Sequence, residues 1–193
     1  ENTMEFIRQY IEEISVISDS DWDYFSSKLV KRVFKKRTVF LKYGEVENHI
    51  SFISSGIVRL YIPKELKEKE VTFGFSFNNQ FVSAYDSFLT RIASLYELET
   101  LSETTMYSIS YTDLQDVYQY SQFGNLIGRL TAERLLLLKS KREQSLLNET
   151  AEQRYINLFE ERPELVTIIP LKYVSSYIGV TPQALSRIRK RIY

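Results

Sequence analysis

The sequence contains no cysteine and a single histidine, His49, among its 193 residues. The absence of thiols excludes disulfides, iron–sulfur clusters and thiolate metal sites, and it agrees with a reducing, cytoplasmic environment. Metal-dependent jelly-roll enzymes use two or three histidines, so that class of enzyme does not fit either. We therefore expect no bound metal and no enzymatic activity.

Long apolar runs are also absent, because no stretch approaches the roughly 18 residues that a membrane-spanning helix needs. The sequence starts at Glu1, and its first residues lack the basic-then-apolar pattern of a signal peptide. Basic and acidic residues number 25 each, so the formal net charge is zero. A protein that coats nucleic acid non-specifically would be strongly basic, and any DNA contact must therefore be local.

Aromatic residues are abundant, with 14 tyrosines and 12 phenylalanines. Between positions 33 and 111, short segments of aromatic and β-branched residues alternate with turn signals, which predicts an antiparallel barrel or jelly roll. The predicted strands are 33–34, 38–41, 50–53, 57–61, 71–77, 81–82, 96–101 and 105–110, with the charged segment 63–70 as an exposed hairpin tip. Two helices precede them, at 3–14 and about 20–30, the second capped by Ser18 or Ser20.

A short helix is predicted at 112–120, capped by Thr112 or Asp113, followed by a long helix at about 123–147. The apolar residues of this long helix form a broad face, which must be buried against two partners. We expect these partners to be the β roll and a twin helix from another chain. The alternative is a helix buried only within its own domain. The predicted solvated end is marked by Lys139, Lys141 and Arg142. The candidate dimer residues are Phe123, Leu126, Ile127, Leu130, Leu137 and Leu138.

Near the C-terminus, the pattern predicts a helix at 151–161 capped by Thr150, a short strand at 166–169, and then a helix, a turn at Gly179 and a second helix. Val174 and Ile178 lie four residues apart and share a face of the first helix, while Leu185 and Ile188 form the inner stripe of the second. This spacing is typical of a DNA-binding helix-turn-helix. An ordinary two-helix corner with a basic tail is the alternative.

The second of these helices is basic, with four cations and no acid from position 182 onwards. Such a helix suits phosphate contacts and guanine edges, and Arg187 is the best candidate for a bidentate guanine contact. We predict that the major groove is faced by Gln183, Ser186, Arg187 and Lys190. Phosphates are predicted to be contacted mainly by Thr181, Arg189 and Arg191.

Taken in order, these elements resemble the bacterial Crp/Fnr family of transcription regulators over nearly the whole chain. Segments 41–45 and 52–61 resemble the early roll strands of that family, and 172–190 resembles the terminal motif of its Bacteroidetes-type branch. The resemblance implies an α+β protein with a β-roll sensor domain (1–148), whose dimerisation helix covers about 121–148, and a helix-turn-helix domain (149–193). It also implies a cytoplasmic homodimer that binds a palindromic operator in double-stranded DNA, with RNA polymerase as a candidate partner.

The sequence departs from that family in two places. Cyclic-nucleotide-binding members carry Gly-Glu-Leu and then Arg-Ser or Arg-Thr, whereas here Ser83-Ala84 and Ser94-Leu95 stand at those positions and Arg91 lies three residues early. We therefore expect no response to cyclic AMP and an unknown effector. The β wing that usually follows the recognition helix is expected to be missing or reduced, since the sequence ends at Tyr193. The candidate pocket residues are Ser83, Ala84, Tyr85, Arg91, Ser94 and Tyr96. A ligand-sensing or protein-interaction module that no longer reads DNA is the rival function.

Overall fold

The computed structural model describes residues 4–192, with the side chains at positions 68, 122, 164 and 166 excepted. Its first two helices are α1 (Glu5–Glu12) and α2 (Asp19–Ser27). Ile7 and Ile11 lie four residues apart on α1 and are both buried. Ser18 caps α2 by accepting a hydrogen bond from the backbone N–H of Asp21 at 3.1 Å, which decides between the two predicted caps.

Each of the eight predicted strands forms, and together they make two four-stranded sheets instead of a closed barrel. One sheet has the order β1-β8-β3-β6 and the other β2-β7-β4-β5, so sequential strands alternate between the sheets except for β4 and β5, which are neighbours in the second sheet. The pairs β1–β8, β3–β8, β3–β6 and β2–β7 are antiparallel. The strands are β1 (Val30–Phe34), β2 (Val39–Leu41), β3 (His49–Ser55), β4 (Val58–Ile62), β5 (Val71–Ser76), β6 (Phe81–Val82), β7 (Glu97–Thr100) and β8 (Thr104–Ser110).

An aromatic cluster joins the first helix to the first sheet. The ring of Phe52 on β3 lies 5.7 Å from Phe6, 5.2 Å from Tyr10 and 5.0 Å from Phe81. At the turn after β3, Gly56 has a φ of +118°, and an added Cβ would lie 2.3 Å from Oγ1 of Thr104. Only glycine fits both the backbone conformation and the space at that turn.

Three helices follow or interrupt the strands: α3 (Tyr85–Thr90), α4 (Tyr111–Tyr120) and α5 (Gln122–Asn148). The sequence pattern did not predict α3, because six residues are too short to show helical periodicity. The predicted caps of α4 were wrong, since Ser110 fills that role by accepting a hydrogen bond from the N–H of Asp113 at 3.1 Å. Within the described residues, no helix is both long and apolar enough to cross a membrane.

The C-terminal helices are α6 (Ala151–Glu161), α7 (Pro163–Ile168), α8 (Leu171–Ile178) and α9 (Pro182–Ile192). Thr150 caps α6, as predicted. The predicted strand at 166–169 was wrong, because the segment belongs mostly to α7. Pro163 occupies the first position of α7, where its fixed φ favours a helix, and Leu165 and Ile169 are buried four residues apart.

The chain divides into two compact units. One contains the residues up to Arg59 together with Phe75–Leu135, and it holds the aromatic cluster and α1 to α4. The other contains Leu60–Gly74 together with the residues from Leu136 onwards. The outer part of the β4–β5 hairpin, with a short 3₁₀ turn at Lys67–Lys69, therefore groups with the C-terminal helices.

Candidate functional site

Helices α8 and α9 form a helix-turn-helix in which Gly179 makes the turn. Gly179 has a φ of +89°, a left-handed conformation that favours glycine. The backbone N–H groups of Gly179 and Val180 each donate a 2.9 Å hydrogen bond to the carbonyl of Ser175, which closes the end of α8. Thr181 then caps α9 by accepting a hydrogen bond from the N–H of Ala184 at 3.2 Å.

One face of α9 is buried against the rest of its unit. Leu185 is fully buried and Ile188 nearly so, and the buried residues of α8 include Val174 and Ile178. Each fully buried leucine or isoleucine of this kind stabilises a fold by about 1.5–3 kcal/mol. This buried stripe fixes which face of α9 remains available to a partner.

The opposite face of α9 carries the side chains predicted to read DNA. Gln183, Arg187 and Lys190 are exposed and lie four and three residues apart, so they share one face. Ser186 and Arg189 are half-buried beside them. Within residues 4–192, neither Arg187 nor Lys190 forms an ion pair.

The remaining two predicted phosphate ligands have other roles as well. Thr181 is exposed, but its hydroxyl oxygen caps α9. The guanidinium of Arg191 forms an ion pair with the carboxylate of Glu152 on α6 at 2.9 Å. A phosphate would therefore have to compete with Glu152 for Arg191.

Two arginines hold the C-terminal end of α8. Arg154 on α6 donates from Nε to the carbonyl of Ile178 at 2.9 Å, and Arg142 on α5 donates to the carbonyl of Tyr177. Arg142 also lies over the Tyr177 ring, 3.9 Å from its centroid, and burial lowers the pKa of its guanidinium. The last carbonyls of a helix lack partners within the helix, and these cations supply them.

Arg142 was therefore wrongly predicted to mark a solvated end of the long helix. Helical spacing alone predicted a charged terminus, but the turn of α8 draws this side chain inward. Lys139 and Lys141 do remain exposed, and Lys141 forms an ion pair with Glu161 at 2.7 Å.

In the roll, the candidate pocket hydroxyls already have protein partners. Ser83 donates to the carbonyl of His49, and Ser94 donates to the carbonyl of Tyr96, both at 2.8 Å. Ser83, Ala84 and Ser94 are all buried. These side chains thus support the roll itself, whichever ligand it takes.

Arg91 is also committed within the protein. It ends α3 with a φ of +60°, and its guanidinium donates to the carbonyls of Glu47 and Phe88 at 2.7 and 3.0 Å and to the side-chain oxygen of Asn48. It also lies 4.3 Å from the centroid of the Tyr111 ring. These partners tie the end of α3 to the loop before β3.

A buried carboxylate that the sequence did not single out lies beside these residues. Glu47 accepts hydrogen bonds from the backbone N–H of His49 at 2.9 Å and of Ala84 at 3.5 Å. Burial raises its pKa, although those N–H groups and the positive charge of Arg32 act in the opposite direction. A lone glutamate in a loop gives no periodic signal from which this position could have been predicted.

The two candidate pocket tyrosines are partly buried near this carboxylate. Burial raises the pKa of Tyr85 and of Tyr96, and the negative charge of Glu47 adds to both effects. The hydroxyl of Tyr96 also donates to the carboxylate of Asp86 on α3 at 2.7 Å. The structure thus brings Tyr85, Tyr96 and Glu47 into one electrostatic neighbourhood.

The candidate dimer residues divide into buried and exposed groups along α5. Phe123 is buried in the core of its unit and Ile127 packs against that core. Leu130 is half-buried and Leu126 is 36% exposed, whereas Leu137 and Leu138 are 70% and 60% exposed. Leu136, Leu146 and Leu147 are exposed as well.

No family model matches the sequence, and no curated protein matches it. Solved structures do match its fold. The c-di-GMP-responsive global regulator CLP of Xanthomonas campestris is 17% identical, with 91% of each chain covered and a TM-score of 0.68. FixK2 of Bradyrhizobium japonicum is 15% identical, with 85% of this chain and 84% of that chain covered and a TM-score of 0.68.

The catabolite activator protein of Thermus thermophilus gives a TM-score of 0.57 at 15% identity, with 93% of this chain and 85% of that chain covered. The structural neighbours include regulators of the Crp/Fnr type, and this chain has their fold. The predicted resemblance is confirmed at the level of the fold. At such identities a shared fold does not by itself carry a function.

Proposed function

We propose that this chain, with its Crp/Fnr-type fold, is a non-enzymatic transcription regulator that binds specific sequences of duplex DNA. One observation carries the proposal: α9 buries Leu185 and Ile188 on one side and exposes Gln183, Arg187 and Lys190 on the other. A single helix fits the major groove of B-DNA, and exposed amide and guanidinium groups suit the base edges there.

The proposed contacts divide into base reading and positioning. Gln183, Ser186, Arg187 and Lys190 read base edges, and Arg187 makes a bidentate contact to guanine. Thr181, Arg189 and Arg191 mainly meet phosphates, which fix the register of the helix without reading sequence. Because the chain has no net charge, this local basic face supplies the electrostatic attraction to DNA.

We further propose that two copies associate through α5. The leucines at 136, 137 and 138 follow one another, and all three are exposed. Exposed apolar surface of this kind commonly marks an interface, and a twin helix packed along one face of α5 would cover part of it. A two-fold dimer would read a palindromic operator with half-sites about 10 bp apart or a multiple of that. Action in the cytoplasm, with RNA polymerase as a partner, fits such a regulator.

Cyclic AMP is not the proposed effector of the roll. A buried phosphate needs a paired cation and hydrogen-bond donors. The hydroxyls of Ser83 and Ser94 donate to backbone carbonyls, and the guanidinium of Arg91 is held by two carbonyls and Asn48. Titration calorimetry with cyclic AMP should give no heat of binding, and saturable binding would refute this part of the proposal.

Selection of bound sequences from random duplexes, with the purified protein, tests the central proposal. We expect enrichment of one two-fold-symmetric sequence. A variant with alanine at 183, 187 and 190 is the matched control, because these exposed positions leave the buried face of α9 intact. If the wild type enriches no sequence, the chain is better described as a ligand-sensing or protein-interaction module.

A further inference from the structure

Ser176 on α8 joins the helix-turn-helix to the β4–β5 hairpin. Its hydroxyl accepts a hydrogen bond from the backbone N–H of Thr72 at 2.9 Å and donates one to the backbone carbonyl of Glu70 at 3.1 Å. The three residues belong to the same compact unit, although more than 100 positions of sequence separate Ser176 from the hairpin. One small side chain thus uses both its donor and its acceptor on a distant segment.

The hairpin groups that Ser176 contacts lie along an open sheet edge. β5 is the last strand in the order β2-β7-β4-β5, so among residues 4–192 it has a neighbouring strand on one side only. Backbone groups of alternate residues point to the same edge of a strand, and Glu70 and Thr72 are two residues apart. The Ser176 hydroxyl therefore bonds two backbone groups that a neighbouring strand could otherwise pair with, the N–H of Thr72 and the carbonyl of Glu70.

The hairpin is also continuous with the roll. The boundary between the two compact units falls within β4, between Arg59 and Leu60, and within β5, between Gly74 and Phe75. Each strand therefore begins in one unit and ends in the other. The backbone of β4 and β5 is therefore continuous from the roll to the residues that Ser176 contacts.

Other side chains hold α8 next to Ser176. Arg142 on α5 and Arg154 on α6 donate to the carbonyls of Tyr177 and Ile178. Ser176 differs from these contacts because its partner is a strand segment, in a pair of strands that continues into the roll. It is therefore a polar contact through which the state of the roll strands could reach the recognition helix.

We propose that Ser176 is a positioning residue, through which the β4–β5 hairpin sets the orientation of the recognition helix α9. This inference rests on the proposed DNA binding and adds a route by which the roll affects it. Loss of the hydroxyl removes its two hydrogen bonds to Thr72 and Glu70 and so loosens α8 against the hairpin, so that α9 meets the operator from a broader range of orientations. Binding that depends on base edges then weakens more than binding to phosphates does.

The variant Ser176→Ala tests this proposal, with Ser175→Ala as the matched control. The hydroxyl of Ser175, the adjacent residue, donates to the carbonyl of Lys172 within α8, so its loss leaves the hairpin untouched. Ser176→Thr retains a hydroxyl and serves as the rescue variant. Two quantities are measured: amide hydrogen exchange at Thr72 in the free protein, and affinity for the selected operator and for a scrambled duplex.

We expect Ser176→Ala to speed exchange at Thr72 at least threefold and to weaken operator binding about three- to tenfold, with little change on the scrambled duplex. Ser175→Ala and Ser176→Thr should resemble the wild type. Unchanged exchange at Thr72, or faster exchange with unchanged operator affinity, would overturn the proposal. If the wild type binds no operator, the proposed function fails, and so does the coupling of the hairpin to DNA reading. Faster exchange at Thr72 in Ser176→Ala would then show only that the hydrogen bond between Ser176 and the hairpin exists.

Discussion

Nε of Arg154 donates a hydrogen bond to the carbonyl oxygen of Ile178 across 2.9 Å, and the same guanidinium donates to the carbonyl of Glu149. One side chain on α6 thus fastens both the start of its own helix and the turn between α8 and α9. Hydrogen bonds from a charged donor are stronger than neutral ones, and loss of the donor leaves both carbonyls to find other partners. The rigidity of the recognition helix α9 therefore depends on a residue outside the helix-turn-helix.

We predict that Arg154→Ala lowers the free energy of unfolding by about 1.5–3 kcal/mol, the range for hydrogen bonds to charged groups. Denaturant unfolding followed by circular dichroism measures it. Lys139→Ala, at an exposed position of α5, is the control and should change stability by less than about 0.5 kcal/mol. Equal stability of the wild type and Arg154→Ala would show that the turn does not need this guanidinium.

Arg187→Ala should abolish operator preference while retaining salt-dependent background binding. A bidentate arginine–guanine contact contributes about 1–3 kcal/mol of discrimination, which is about 5- to 150-fold in relative affinity. Competition binding between the selected operator and a scrambled duplex measures this ratio. Lys36→Ala removes one exposed positive charge from the other unit and should leave the ratio unchanged. A uniform loss on all sequences would instead assign Arg187 to phosphate contact.

Leu137→Glu should convert the proposed dimer to a monomer, because a carboxylate placed in an apolar helix pair loses its hydration. Size-exclusion chromatography with light scattering gives the mass directly. Leu89→Glu changes a similarly exposed leucine on α3 and should leave the dimer intact. A wild-type mass equal to that of one chain would refute the role assigned to α5.

Glu47 should make the stability of the fold decline as pH rises. Burial raises its pKa above the ordinary value of 4.5, so the folded protein binds this proton more tightly than the unfolded chain does. The stabilisation is complete below pH 4.5 and is lost as pH rises through the folded-state pKa. Each pKa unit of displacement corresponds to about 1.4 kcal/mol.

Unfolding free energies of the wild type and Glu47→Gln, measured from pH 4 to pH 8 in steps of about one unit, test this linkage. The wild type should lose stability relative to the variant as pH rises through that interval. Glu103→Gln, at an exposed position, controls for the change of one charge. A constant difference between wild type and Glu47→Gln at every pH would contradict the prediction.

The strands and long helices could be predicted from sequence because their signals are local and repeated. Short segments of β-branched and aromatic residues between turn signals indicated all eight strands, and the 3.6-residue period indicated α5 and α9. The short helices were harder: α3 shows too few turns, and the β-branched residues before Pro170 suggested a strand although Pro163 starts a helix there. Local propensity cannot decide between a strand and a helix in this segment, because the burial of Leu165 and Ile169 against the rest of the fold determines the outcome.

The candidate site shows the same division. The exposed face of α9 follows from helical spacing, since Leu185 and Ile188 fix it within the sequence itself. The contacts that hold α8 in place could not be predicted from the sequence, because Arg142, Arg154 and Ser176 each form hydrogen bonds with backbone groups of a distant segment. A backbone carbonyl has no residue-specific signature, so no pattern in the sequence can identify it as a partner.

The Ser176 hydroxyl at the margin of β5 also bears on how copies of this chain behave at high concentration. A bare strand margin invites a foreign strand to add itself, and repeated addition builds insoluble fibrils. Proteins often deter this with a charge or a proline at the margin. Here α8 contacts the start of that margin through Ser176, and we expect this contact to hinder the addition of a foreign strand there.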